Sequence, residues 1–126
     1  EVFGTDLDEN AITAVEENLE ANGISPDRFR AVQGNIIDDE TLQKEAGEGC
    51  WDIAVANILA DVIIPLQKEI PAHLKDGGLF IASGIINMKE QAVREAVEAN
   101  PLLEITEIHH QGEWVSVTAR KRAAGV

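Results

Sequence analysis

Short apolar runs alternate with segments of helical periodicity along most of this chain, and no other feature restricts its fold as strongly. Val2 to Asp6 reads as a strand. Asp8 then offers an N-cap and Glu9 an acid in the first turn. Ile12, Val15 and Leu19 recur at helical spacing until Asn22-Gly23 stops the helix. Phe29 to Gln33 reads as the next strand, and Asp38 to Ala46 as a polar helix ended by Gly47-Glu48-Gly49. Trp51 to Ala56 is an apolar run of the kind buried on both faces of a sheet, and Asn57 ends it. Asp61 opens a helix towards Leu74, in which Pro65 suits the first turn and Pro71 forces a kink or a split. Asp76-Gly77-Gly78 breaks the chain ahead of a buried strand from Leu79 to Ala82. Asn87 and Glu90 make a capping arrangement for a helix to Ala99. Leu102 to His109 and Trp114 to Arg120 then read as two strands around a Gln111-Gly112 turn.

The order β-α-β-α-β-α-β-α-β-β implies an α/β fold with a doubly wound, mostly parallel sheet. Each helical crossover returns the chain in the same direction, with helices on both faces. The last two strands, joined by a short turn, must form an antiparallel hairpin. With 126 residues and no repeats or linkers, the expectation is one compact domain. The chain opens directly on a strand and without methionine, so it is expected to begin inside a larger protein.

Charge narrows the partners. Asp and Glu number 23 against 10 Lys and Arg, a formal net charge of −13. That balance repels phosphate and argues against direct nucleic-acid binding, whereas it suits a basic polypeptide by electrostatic steering. Arg120-Lys121-Arg122 is too short and too terminal to reverse it. Cys50 is the sole cysteine, which excludes an internal disulfide and a multi-cysteine zinc site. No metal is expected, and a reducing, cytoplasmic location is the default. No apolar run approaches the roughly 20 residues of a membrane span.

Several segments resemble a known family. Gly4 to Ile24 (GTDLDENAITAVEENLEANGI) resembles the second strand and following helix of class I S-adenosylmethionine methyltransferases, a Rossmann-like fold. More specific are VANILAD at Val55 to Asp61, SGI at Ser83 to Ile85 and GEW at Gly112 to Trp114. In this order they are similar to the PrmA family, bacterial enzymes that methylate ribosomal protein L11. The resemblance covers essentially the whole chain. It implies a first strand and a glycine-rich cofactor loop ahead of Glu1, and a separate domain that holds the substrate protein. It also implies that these residues alone bind S-adenosylmethionine weakly or not at all.

Asp6 stands at the carboxyl end of a strand, where open α/β sheets bind ligands, and a carboxylate there can accept both hydroxyls of a ribose. The resemblance places the cofactor ribose at Asp6 and the adenine against Leu7. Asn35, in Gln33-Gly34-Asn35-Ile36, can accept from the adenine amino group while Ile36 packs on the ring; Gly and Asn are also ordinary turn residues.

Asn57 is the candidate catalytic residue and a further cofactor contact. Amine methylation is an in-line displacement, so the protein's main task is orientation. An asparagine at a strand end can hold amine N–H groups and aim the lone pair. Related amino-methyltransferases carry Asn-Pro-Pro and an aromatic, where this chain has Asn57-Ile58-Leu59-Ala60. Ala60 removes the aromatic clamp that suits planar bases and amides, which favours a flexible aliphatic amine and counts against a glutamine or nucleobase substrate. The expected activity is methylation of lysine side chains and an α-amino group on a basic ribosomal protein. His109 and His110 read as surface residues, at most one of them facing a site because adjacent strand residues point to opposite faces. Trp114 reads either as a border of the substrate entrance or as a packing residue, with packing the favoured reading. Two rival readings remain open: a nucleotide-binding dehydrogenase domain, whose ribose is also held by an acid, and a non-catalytic α/β binding module.

Overall fold

The computed structural model describes residues 1–123, which divide into two compact units at Ala46/Gly47. In the first unit, strand β1 (Val2–Asp6) leads to helix α1 (Glu9–Ala21), strand β2 (Phe29–Gln33) and helix α2 (Glu40–Ala46). β1 and β2 pair in parallel from Val2 opposite Phe29 to Asp6 opposite Gln33. Asp8 caps α1 as its type and position require, accepting the backbone N–H of Asn10 at 2.9 Å. The second helix starts later than Asp38: the Asp39 carboxylate accepts from the Leu42 backbone at 3.1 Å and opens the first turn. α1 buries no residue, and this unit's buried side chains are Leu42 and Ala46 of α2.

The second unit begins with strand β3 (Trp51–Asn57) and helix α3 (Ala60–Leu66), followed by a 3₁₀ turn at Ile70–Ala72. Pro71 splits the helix as its missing N–H requires. Leu59 rather than Asp61 stands at the N-cap of α3; Asp61 lies in the first turn and pairs with Lys89 at 3.4 Å. Strand β4 (Leu74–Ile86) starts five residues before the expected Leu79. The Gly77-Gly78 step shifts the register instead of ending the strand, with Trp51 opposite Leu74 and then Ile53 opposite Leu79. A 3₁₀ turn at Asn87–Lys89 runs into helix α4 (Glu90–Glu98), and strands β5 (Leu103–Gln111) and β6 (Trp114–Lys121) close the unit.

The sheet order is β3-β4-β6-β5. β3 and β4 are parallel, and β6 lies antiparallel between β4 and β5. The α/β class and the terminal antiparallel hairpin are therefore as expected, while the described residues form a two-stranded and a four-stranded sheet. The core is built from Phe80, Ala82 and Ile85 of β4 and Val115, Val117 and Ala119 of β6, with Ile63, Val93 and Val97 from the helices. Fully burying one such large side chain contributes about 1.5–3 kcal/mol.

β3 departs from expectation. Ala56 is buried, but Ile53 is 54 % and Val55 67 % exposed, so the strand is not covered on both faces. Ile53 and Val55 are alternate residues and share one face, which is left uncovered, and among the described residues β3 lies at the edge of the four-stranded sheet with β4 as its partner. The basic cluster near the end is absorbed locally: the Lys121 ammonium donates to the Leu74 carbonyl at 2.8 Å, and Arg122 pairs with Glu104 at 3.3 Å.

Candidate functional site

In the second unit the carboxyl ends of two parallel strands meet where Asn57 pairs in register with Ser83. Crossover topology brings loops together at such ends, which is why open α/β sheets bind ligands there. A β-bulge follows in β4. Ala82 lies opposite Val117 and Ile85 opposite Val115, so Ser83 and Gly84 share the space of one residue on β6. Gly84 adopts φ +73° at this bulge. The Asn57 amide packs directly on it: a Cβ at position 84 would run into Asn57 Oδ1 and stand 3.5 Å from its Cγ.

Asn57 opens on a cavity of about 860 Å³, whose walls include Leu59, Ser83, Gly84, His110 and Trp114. Trp114 pairs across the strands with Ile86 and is 57 % exposed, so it borders the cavity instead of packing in the core. Both histidines are exposed, as expected, but both line this same cavity, where strand alternation predicts at most one. His110 Nε2 meets Glu90 Oε1 at 2.6 Å, and His109 Nε2 meets Glu107 Oε2 at 3.1 Å. The hydrogen bond from His110 holds the Glu90 carboxyl below its ordinary value of 4.5; partial burial opposes this and Arg94 reinforces it.

The first unit carries the other predicted residues. Asp6 and Gln33 are partners at the carboxyl ends of β1 and β2, and the Gly34 N–H donates to the Asp6 carbonyl at 2.9 Å. Asp6 Oδ1 accepts from the Asp8 backbone at 2.9 Å, and Oδ2 takes no hydrogen bond from a described residue. Leu7 is 65 % exposed beside it, and Gln33 reaches its carbonyl at 3.3 Å. Asn35 is partly occupied by its own turn: Oδ1 accepts from the Ile37 backbone at 3.0 Å, and Nδ2 approaches Asp38 at 3.4 Å. Ile36 is half-buried in that turn. Asp6, Leu7 and Asn35 thus lie on the loops that leave the two strand ends, while Asn57 belongs to the second unit.

Sequence reasoning gave Glu90 and Gly84 no part in the site and read His110 as a surface residue. Glu90 looked like a capping acid, but no side-chain cap is made at α4 and its carboxylate holds His110 instead. Gly84 was visible only as the middle of SGI, because a bulge depends on the register with β6. His110 sits on a strand whose hydrophilic pattern gave no sign of a cavity.

The parallel β-α-β units ending in an antiparallel hairpin, with polar residues at the carboxyl strand ends, define a class I methyltransferase fold. Solved structures agree. A ribosomal protein L11 methylase from Lactobacillus delbrueckii subsp. bulgaricus superposes with a TM-score of 0.76 at 26% identity, over 96% of this chain and 58% of that one. A SAM-dependent methyltransferase from Aquifex aeolicus gives 0.76 at 11% identity, over 96% and 69%, a likeness of fold alone.

The chain belongs to the family described as Ribosomal protein L11 methyltransferase (PrmA), whose model matches residues 1–122. Relatives bearing that description include proteins from Lachnospira eligens, 54% identical over 120 residues, and Agathobacter rectalis, 51% identical over 121. The match covers 95% of this chain and 38% of the first, and 96% and 37% for the second. The chain therefore spans well under half the length of these curated relatives. Membership of this family displaces the dehydrogenase reading.

Proposed function

We propose that residues 1–126 form part of the catalytic domain of a cytoplasmic enzyme that uses S-adenosylmethionine to methylate amino groups of ribosomal protein L11, on lysine side chains and at the α-amino group. The observation that carries this reading is the Asn57 side chain, set at a strand end on the wall of a cavity that admits a long aliphatic amine. The net charge of −13 favours a basic protein as partner and disfavours direct contact with nucleic acid.

The residues at the ends of β1 and β2 fit the nucleoside part of the cofactor. Asp6 keeps one carboxylate oxygen clear of described donors for a ribose hydroxyl, and exposed Leu7 offers apolar surface to a flat ring. Asn35 and Ile36 would border the adenine, with a second lone pair on Asn35 Oδ1 still able to accept. When bound, S-adenosylmethionine supplies a methyl group activated by its sulfonium sulfur.

Asn57 supplies orientation: its amide oxygen accepts an N–H of the incoming amine and so fixes the direction of the nitrogen lone pair. Such alignment is worth several kcal/mol in a displacement reaction. A lysine ammonium, with a free pKa of about 10.4, must first lose a proton. His110 stands on the same cavity wall. With Nε2 turned to Glu90, its Nδ1 is the nitrogen available to take that proton and pass it to water.

The test is Asn57→Ala in the full-length polypeptide, with methyl incorporation into L11 followed by mass spectrometry. Turnover should fall about 100-fold or more, with cofactor affinity changed less than about threefold. Unchanged methylation would return the chain to the class of non-catalytic modules.

A further inference from the structure

We propose that Gly84 is a positioning residue for Asn57: the absence of a side chain at the β4 bulge is what lets the Asn57 amide oxygen occupy its place on the cavity wall. Two observations converge on it. The bulge puts Gly84 beside Asn57, and its φ of +73° is a conformation that side-chain-bearing residues rarely adopt. In addition, the volume that a Cβ would fill is already taken by Asn57 Oδ1.

Backbone conformation alone does not account for this glycine. Gly77 and Gly112 also have positive φ, +81° and +60°, and a Cβ at either would meet nothing within 4 Å. Those glycines answer to the turn they make. Gly84 answers to a turn and to a neighbour, and the neighbour is the side chain assigned to hold the amine. Elsewhere the crowding is of another kind: at Gly34 the nearest atom is Leu42 Cδ2 at 2.8 Å, the end of a flexible apolar side chain. An amide oxygen pressed by a methyl group has no such freedom if it is to keep its aim. It must rotate about χ1 or χ2, and the hydrogen bond it offers then points elsewhere.

The consequence for the reaction is geometric. Asn57 and Ser83 are fixed in register by the parallel pairing of β3 with β4, so the backbone at Asn57 cannot retreat without breaking that ladder. A side chain at 84 therefore displaces the amide, not the strand. Catalysis is sensitive to shifts of this size, since a misplacement of about 1 Å can cost about 100-fold in rate.

This inference rests on the amine-orienting role given to Asn57, and its experiment separates the two. Gly84→Ala, Asn57→Ala, the double variant and the control Gly77→Ala would be made in the full-length polypeptide. Thermal midpoints are read alongside kcat and KM for methyl transfer. Gly77→Ala carries the backbone strain without a clash, so Gly84→Ala should lower Tm by about 5 °C more than this control. Adding Asn57→Ala should recover most of that excess, because the clashing oxygen is gone. In kcat, Gly84→Ala should lose about 100-fold with KM for cofactor within about threefold, and should cost less than about threefold further in the Asn57→Ala background.

Independent, additive Tm losses would overturn the proposal, and so would a wild-type kcat in Gly84→Ala when Asn57→Ala loses activity. Should Gly84→Ala fail to fold, recovery of folded protein in the double variant supports it and failure to recover overturns it. If the Tm coupling holds while Asn57→Ala methylates normally, the positioning contact stands and the catalytic role of Asn57 falls.

Discussion

The two units of the chain spend their residues differently. Residues 1–46 contribute two buried side chains, Leu42 and Ala46, and a two-stranded parallel sheet beside a helix, α1, that buries none. Residues from Gly47 onward carry the four-stranded sheet and a core that includes Phe80, Ile63, Leu74, Ile85 and Leu103. Parallel strands are normally covered on both faces, and a sheet of two strands is marginal by itself. Among the described residues the first unit thus offers shaped loops with few buried side chains, and the second a larger core together with the Asn57 cavity. Ligand-binding segments are commonly drawn from the less stable end of a structure.

The contrast can be broken from either side. The largest effect should come from Phe80→Ala, which empties the middle of the second unit's core and should cost about 3–5 kcal/mol, measured by chemical denaturation. A smaller loss would mean that the core does not rest on this sheet. Asp6→Ala in the first unit should leave the denaturation midpoint within about 0.5 kcal/mol of wild type. It should weaken S-adenosylmethionine binding by about 1.5–3 kcal/mol in calorimetry of the full-length polypeptide. Stability that falls with affinity intact would reverse the roles given to the two units.

The smallest effect concerns Glu90. Its folded-state pKa lies below the ordinary 4.5, chiefly because His110 hydrogen-bonds to it. The stabilisation is therefore fully present above about pH 4.5 and lost as pH falls through the lower folded value. Glu90→Gln should lower the thermal midpoint slightly above that range and match wild type in acid. A gap that instead widens in acid would contradict the pairing.

Much of the fold is legible in the residues themselves. β1 and β2 begin and end where the pattern sets them, because Asp8, Asn22-Gly23 and Gly34 are strong local punctuation. β4 shows where such punctuation misleads: Gly77-Gly78 looks like a break, yet pairing with β3 carries the strand through it as a register shift. The apolar run of β3 suggests burial on both sides, but no single sequence tells an edge strand from a central one. Asp6 and Asn57 were legible at strand ends, whereas the bulge at Gly84 and the His110–Glu90 pair depend on register and on contacts across twenty residues or more.

The exposed edge of β3 has a colloidal consequence. In residues 1–126 taken alone, β3 has β4 as its one strand partner among the described residues, and its other edge is a template on which another copy can add a strand. What opposes that pairing is long-range repulsion between copies that each carry a net −13. Raising the salt shortens the reach of that repulsion to about 3 Å at 1 M, and approaching the pI near 4.4 removes its source. Dispersal of residues 1–126 in water thus leans on their surplus of carboxylates, which keeps copies apart.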